Sequence, residues 1–177
     1  MEQNHQKVLK LLDCHGAELY RLIGRITRCE HTASDLMQDL FICLSRSNGF
    51  NRSSSTYAYA WKTAANLAFE WRRRQKVQLV PLSQAEMAVD SKCTALEQLI
   101  SEEQFELVLN CTAELSELAR NVVVMRYIEQ ESYDHIAKCL GKNPAYLRSI
   151  CSKAISQLRG LLYKYSRNHT DREASHG

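Results

Sequence analysis

The sequence predicts an all-α protein of two small helical domains joined by a linker, the C-terminal one built around a helix-turn-helix. Apolar residues recur at three- and four-residue steps instead of alternating as strands require. Only two prolines and six glycines punctuate 177 residues, too few for a chain of many short strands and turns. The charge also falls into blocks: +4 over residues 1–75, −6 over 76–118 and +5 over 119–177, within a total of +3. Two basic blocks parted by an acidic one suggest two modules that each meet a polyanion, joined by a tether that stays off that surface. Solvated helix faces would give the same totals, so position must decide between the two.

The first domain is expected over residues 1–76. Leu19, Leu22, Ile23 and Ile26 make one helical stripe, and Leu36, Met37, Leu40, Phe41 and Leu44 make the next. Asp35, Gln38 and Asp39 fall away from that second stripe and form a short acidic, amide-bearing outer face. On spacing alone, carboxylates placed near a helix start at Thr32 or Ser34 by the helix dipole explain them equally well. In the third helix, from Thr56 to Arg74, the residues Tyr57, Ala60, Trp61, Ala64, Leu67, Ala68 and Trp71 form the packing stripe. The opposite stripe reads Tyr59, Lys62, Thr63, Asn66, Glu70 and Arg73, ending in the run Arg72-Arg73-Arg74. Cations there can hold phosphates, while the ring, amide and hydroxyl can stack on or hydrogen-bond unpaired bases. The preceding polar loop holds Asn51, Arg52, Ser53 and Ser54, whose side chains can reach the edges of an extruded base. A plain connector capped by Ser55 or Thr56 has the same composition.

Helical periodicity fades after Lys76, where Pro81, Ser83, Asp90 and Ser91 break the apolar pattern, so a linker is expected over 77–96. The second domain follows over 97–165. Leu115, Leu118, Val122 and Met125 supply a supporting helix. Ser132 can cap a short helix containing Ile136, Ala137 and Leu140, and Gly141 sits where a left-handed C-terminal residue is wanted. Asn143 can cap a second helix opened by Pro144, at the position where a missing N–H does no harm. Two helices joined in this way make a helix-turn-helix. The second buries Leu147, Ile150, Cys151, Ala154, Ile155 and Leu158 on one side and presents Arg148, Ser149, Ser152 and Ser156 on the other, flanked by Tyr146 and Lys153. The early residues of such a helix enter the major groove, where Arg can read guanine. The stretch 166–177 is polar and expected to be loose.

Other function classes find little support. The longest aliphatic run, Val122 to Met125, is far below the roughly 18 residues of a membrane span. The polar opening Met1 to Lys7 lacks the apolar core of a secretion signal, so a cytoplasmic location and no membrane insertion are expected. Seven cysteines, at 14, 29, 43, 93, 111, 139 and 151, include no pair at zinc-knuckle spacing. His135 and Cys139 stand at i and i+4 but lack a third orienting group, and Cys14, His15, Cys29 and His31 match no standard metal spacing. No catalytic residue, metal ligand or cofactor is assigned.

Taken together, the two basic helical modules, acidic tether and C-terminal helix-turn-helix resemble the extracytoplasmic-function sigma factors of bacteria, over about Leu19 to Leu162. Asp35-Leu36-Met37-Gln38-Asp39-Leu40-Phe41 is similar to that family's polymerase-binding helix, with the pattern Asp-Leu-x-Gln-acid-x-Phe. The resemblance implies that Asp35, Gln38 and Asp39 meet bacterial core RNA polymerase. Tyr59 to Arg73 is similar to the promoter-melting helix, in which an Ala-x-Asn step precedes an acidic residue and paired arginines. It implies that Tyr59, Lys62, Thr63, Asn66 and Arg73 face the minus-ten box, with a flipped base captured between Asn51 and Ser54. Leu115 to Arg120 and Ser132 to Ala137 resemble the C-terminal module, whose last helix reads the minus-thirty-five box; Tyr146, Arg148, Ser149, Ser152 and Lys153 would be its readers. The implied partners are core polymerase, promoter DNA and an unidentified anti-sigma factor. The acids Glu86, Asp90, Glu97, Glu102, Glu103 and Glu106 would run through the polymerase as a nucleic-acid mimic. The chain departs from the pattern at Tyr59, where a tryptophan is usual, at Gln130, where glycine is usual, and at Tyr146, where a small residue is usual. A stand-alone helix-turn-helix regulator is the alternative reading.

Overall fold

The computed structural model describes residues 2–78 and 95–173, and side chains within 4–75 and 102–165. Among these residues there are helices and no strands. The N-terminal module comprises α1 (Glu2–Thr27), α2 (Glu30–Arg46), the short α3 (Asn48–Arg52) and α4 (Thr56–Gln78). The C-terminal module comprises α5 (Ala95–Ala113), α6 (Glu117–Val123), α7 (Tyr133–Leu140) and α8 (Pro144–Glu173). None of the described helices is long and apolar enough to cross a membrane.

Helices α1, α2 and α4 pack on one another along the expected stripes. Leu19, Leu22, Ile23 and Ile26 of α1 meet Leu36, Leu40 and Leu44 of α2 and Ala60, Trp61, Ala64 and Ala68 of α4, all buried. The α1–α2 hairpin turns on Arg28, whose φ of 55° is left-handed and whose N–H bonds the Gly24 carbonyl at 2.7 Å. Because α2 begins at Glu30, Asp35 is its sixth residue, past the first turn where the dipole acts. The start expected at Thr32 or Ser34 is therefore corrected, and the dipole does not account for Asp35 or Asp39.

In the second module the turn chemistry is as expected. Ser132 Oγ accepts from the His135 N–H, Gly141 is left-handed at φ 63°, and Asn143 Oδ1 accepts from the Ala145 N–H at 2.8 Å. Ahead of this motif α6 widens into a π-helical turn over Val124–Ile128, closed by a bond from the Glu129 N–H to the Val124 carbonyl. Gln130, the position where glycine was the expected residue, is left-handed at φ 59°. Of the tail expected to be loose from Ser166, residues 166–173 belong to α8, which meets no proline or glycine between Gly160 and Glu173 to stop it, and 174–177 lie outside the described residues. The expected linker falls largely on 79–94, outside the described residues.

The two modules do not stand apart. Val122, Val124, Met125, Ile136, Leu140, Leu147 and Cys151 belong to the same contiguous apolar cluster as the cores of α1, α2 and α4. A smaller cluster of Cys111, Leu115, Ala119, Val123, Ala154 and Leu158 ties α5 and α6 to α8. Accordingly α4 is buried more broadly than one stripe allows: Ala58, Ala65, Phe69 and Arg72 are also buried.

Candidate nucleic-acid interface

Three faces carry the predicted site residues. On α2, Asp35, Gln38 and Asp39 are all exposed, and His31 lies 3.2 Å from the Asp35 carboxylate one turn away. Ile42, 44% exposed, extends this face at the same i, i+3, i+4, i+7 spacing. Beside it Leu12, Met37, Gln38, Phe41 and Ile42 line a shallow apolar groove of about 450 Å³. Met37 and Phe41 of the apolar stripe are half-buried, packing on the core and edging the groove. An apolar strip flanked by carboxylates suits docking to a protein partner.

Asp35 and Asp39 also border a smaller polar pocket shared with Leu67, Glu70, Trp71 and Arg74 of α4. There Arg74 donates to the Glu70 carboxylate at 2.7 Å, holding Glu70 below the usual carboxylate range. The arginine run therefore divides. Arg74 pairs with Glu70, and Arg72 is 5% exposed, donating to the Ile26 carbonyl at 2.8 Å and to the Glu106 carboxylate. Arg73 is exposed.

The second face joins α3 and α4. Asn51, Arg52 and Ser54 are exposed and Ser53 is half-buried. Expected as an irregular loop, the segment contains the one-turn helix α3, pinned by buried Phe50 and by the Phe50 N–H donating to Ser47 Oγ. Ser53 Oγ donates to the Ser55 carbonyl at 2.8 Å, and Ser55 Oγ accepts from the Ala58 N–H to start α4. Tyr59 supports this loop from below. Its hydroxyl is 2.8 Å from Ser47 Oγ, and a Cβ added to Gly49 would sit 3.0 Å from the same hydroxyl, so a side chain there would have to push the ring aside by a few tenths of an ångström. Tyr59 thus shapes the loop more than it offers a stacking surface.

Further along α4, Lys62, Thr63 and Asn66 are half-buried. Thr63 Oγ1 donates back to the Tyr59 carbonyl at 2.9 Å. Asn66 Nδ2 donates to Glu117 of α6 at 3.0 Å, and Arg120 donates to Asn66 Oδ1 at 2.7 Å. Arg120 itself is 3% exposed, lies 5.2 Å over the Phe69 ring, and has its pKa lowered by burial. The middle of the predicted stripe therefore faces the second module.

The third face is the N-terminal half of α8. Tyr146, Arg148, Ser149, Ser152 and Lys153 are all exposed along one side of the helix. The Arg148 guanidinium lies 5.3 Å from the Tyr133 ring centroid, and Arg126 lies at the same distance from that ring. Hydrogen bonding with Cys151, then burial, pushes the Tyr133 hydroxyl up to about 12. Sequence reasoning missed Tyr133, which sits at the first position of α7; periodicity cannot reveal an aromatic ring that serves a neighbouring helix. On the same helix Cys139 lies 3.4 Å from His135, and burial raises its thiol pKa, the wrong direction for a nucleophile.

Comparison with known proteins matches the two modules separately. The sequence pattern of sigma-70 region 2 matches residues 11–77, and that of sigma-70 region 4 matches residues 113–160. The chain is 28% identical over 159 residues to the ECF RNA polymerase sigma factor SigE of Mycolicibacterium smegmatis, covering 89% of this chain and 62% of that relative's length. Among solved structures, similarity extends to the sigma factor RpoE in complex with the anti-sigma factor NepR from Bartonella quintana. That match has 19% identity and a TM-score of 0.45, over 92% of this chain and 98% of that one. CnrH in complex with the cytosolic domain of CnrY matches at 17% identity and a TM-score of 0.48, over 91% and 90% of the two chains.

Proposed function

Given that this chain belongs to the sigma-70 family and carries its regions 2 and 4, we propose that it is an RNA polymerase sigma factor of the extracytoplasmic-function type, acting in the cytoplasm to direct core polymerase to promoters and help melt them. The observation that carries this reading is the presence on one chain of two chemically distinct exposed faces. An acidic and apolar face on α2 suits a protein partner, and a basic, hydroxyl-bearing face at the start of α8 suits duplex DNA. Asp35, Gln38 and Asp39 would hold core polymerase. Asn51, Arg52, Ser53, Ser54, Lys62, Thr63, Asn66 and Arg73 would take the melted minus-ten strand over the support of Tyr59. Tyr146, Arg148, Ser149, Ser152 and Lys153 would read the minus-thirty-five duplex. Nucleotidyl transfer stays with polymerase; this chain contributes position and strand separation. An anti-sigma protein is its expected inhibitor.

The test is run-off transcription with purified bacterial core polymerase on a promoter library. Promoter-dependent transcripts that disappear with Asp39→Arg support the reading. Absence of both transcripts and core binding overturns it. A stand-alone regulator is the second reading, favoured by the openness of α8 beside the half-covered α4; it requires tight duplex binding without polymerase, which gel shifts measure.

A further inference from the structure

The acids of the middle block do reach the basic surface: Glu102 and Glu106 of α5 pair with Arg28 at 3.9 and 3.5 Å, and Glu106 pairs with Arg72. The expectation that the acidic segment stays off that surface is corrected there, while Glu86 and Asp90 lie outside the described residues. The loop before α4 is held differently. Among the described residues, every hydrogen bond of 47–56 stays within the first module. Three segments of that module converge on one residue, Ser47, which the sequence patterns do not single out. Its Oγ accepts from the Phe50 N–H at 3.1 Å, opening α3, and lies 2.8 Å from the Tyr59 hydroxyl of α4, where either oxygen can carry the shared hydrogen. The Ser47 N–H donates to the Leu44 carbonyl at 3.2 Å, so the same residue closes α2. Behind it the buried Asn4 of α1 donates to the Ser45 carbonyl at 2.7 Å and the Leu44 carbonyl at 3.4 Å, fixing the turn from which Ser47 departs.

Helix α3 needs such anchoring. Five residues are too few for a helix to hold itself, because nucleation costs more than one turn of bonds returns. Its anchors are the Ser47 oxygen, the fully buried Phe50 ring, which lies edge-on to the Tyr59 ring at 6.0 Å, and the Ser53 N–H, which donates to the Phe50 carbonyl at 3.3 Å. Asn51, Arg52 and Ser54 project from this frame as exposed side chains with no hydrogen-bond partner among the described residues. Reading the edge of an unpaired base requires donors and acceptors held within hydrogen-bond geometry. Resting on the reading of Asn51 to Ser54 as the base-capture loop, we infer that Ser47 and Tyr59 are its positioning residues: the bond between their hydroxyls sets the pose in which Asn51, Arg52 and Ser54 meet an extruded base, and thereby which base the loop prefers. Tyr59 departs from the usual tryptophan, and it is the added hydroxyl that Ser47 holds. Both residues act through the loop and not on the base.

The experiment uses holoenzyme assembled from the full chain and bacterial core polymerase, bound to fork-junction DNA of a promoter recovered from the run-off library. Each unpaired minus-ten position carries A, C, G or T in turn, and the readout is the affinity ratio between the most and least preferred base at that position. Tyr59→Phe and Ser47→Ala should each cut this ratio about fivefold, the contribution of one hydrogen bond, at one and the same position. Ser47→Thr keeps the hydroxyl on an extended backbone, φ −82° and ψ 117°, that suits a branched side chain, and should restore the preference. The double variant should lose no more than Ser47→Ala alone, because the Tyr59 hydroxyl then has no partner left to lose. Urea unfolding and small-angle scattering check that each variant keeps the wild-type fold. An unchanged preference in Tyr59→Phe, a loss spread evenly over all positions, losses that multiply in the double variant, or Ser47→Thr behaving as Ser47→Ala overturns the latch while the base-capture reading stands. Absence of base preference at every position in wild-type holoenzyme overturns that reading and the latch with it.

Discussion

Two helices of this chain carry polar, cationic stripes of similar composition, yet they differ in availability. The face of α8 bearing Tyr146, Arg148, Ser149, Ser152 and Lys153 is open to solvent, while Lys62, Thr63 and Asn66 of α4 are half-buried, Asn66 against the other module. The difference lies in the opposite flanks. Helix α8 buries one side, through Leu147, Cys151, Ala154 and Leu158, as an independent helix-turn-helix requires. Helix α4 buries two, because Ala58, Ala65, Phe69 and Arg72 add a second set of contacts to the stripe of Ala60, Trp61, Ala64 and Ala68. A polar stripe squeezed between two buried flanks is accessible only as far as its neighbour permits. Composition therefore identifies surfaces that could bind nucleic acid; the packing of their flanks decides when they can.

Arg72 offers the most forceful way to break this contrast. It ties α4 to α1 through the Ile26 carbonyl and to α5 through Glu106, from a buried position. Replacement by Met fills the volume but strands that carbonyl and removes the partner of Glu106. Urea unfolding should show a loss of about 3 kcal/mol, moderated by the exposure of Glu106. A loss within about 0.5 kcal/mol, the range of an ordinary surface change, would mean that α4 is not held on its second flank by buried charge.

The open helix is tested at Arg148. Truncation to Ala should weaken binding to a duplex selected by the protein by about 2 kcal/mol and relax preference at one base position. Tyr133 acts through that arginine, its ring holding the guanidinium at 5.3 Å. Tyr133→Leu should lose about 1 kcal/mol of the same binding, and Tyr133→Phe, which keeps the ring, should retain it. Gel shifts on the single and double variants check the coupling: if Arg148→Ala and Tyr133→Leu add in full, Tyr133 does not position the arginine.

The legibility of these features in the sequence follows the range of the interaction that makes them. Caps and turns are local, so Ser132, Gly141, Asn143 and Pro144 were readable and the structure has each in its expected place. The core stripes of α1 and α2 were readable for the same reason. The second flank of α4 was not, although Ala58, Ala65 and Phe69 stand at helical spacing, because a lone phenylalanine among alanines carries too little apolar weight to outvote Trp61 and Leu67. The fates of Arg72 and Asn66 depend on Glu106 and Glu117, 34 and 51 residues away, and no local pattern encodes that pairing. Nor did spacing expose the left-handed turn at Gln130, since glutamine carries no turn signal; the departure from glycine at that position was its one trace.

That residue gives the smallest and most local of these tests. Gln130 joins the π-turn of α6 to the helix-turn-helix, with φ at 59° and an exposed side chain, next to Glu129, which holds Arg25 of the first module. A left-handed L-residue carries about 1–2 kcal/mol of strain that glycine relieves. The greater freedom of glycine in the unfolded chain takes back about 0.5–1 kcal/mol. Gln130→Gly should therefore stabilise the protein by about 0.5 kcal/mol, read as a rise of about 1–2 °C in the unfolding midpoint. Because the relief is confined to the backbone, duplex binding by α8 should not move, and scattering should find α4 as covered as before. A change in either would mean that the strain at Gln130 sets the angle between the modules, so that the covered helix and the open one answer to the same turn.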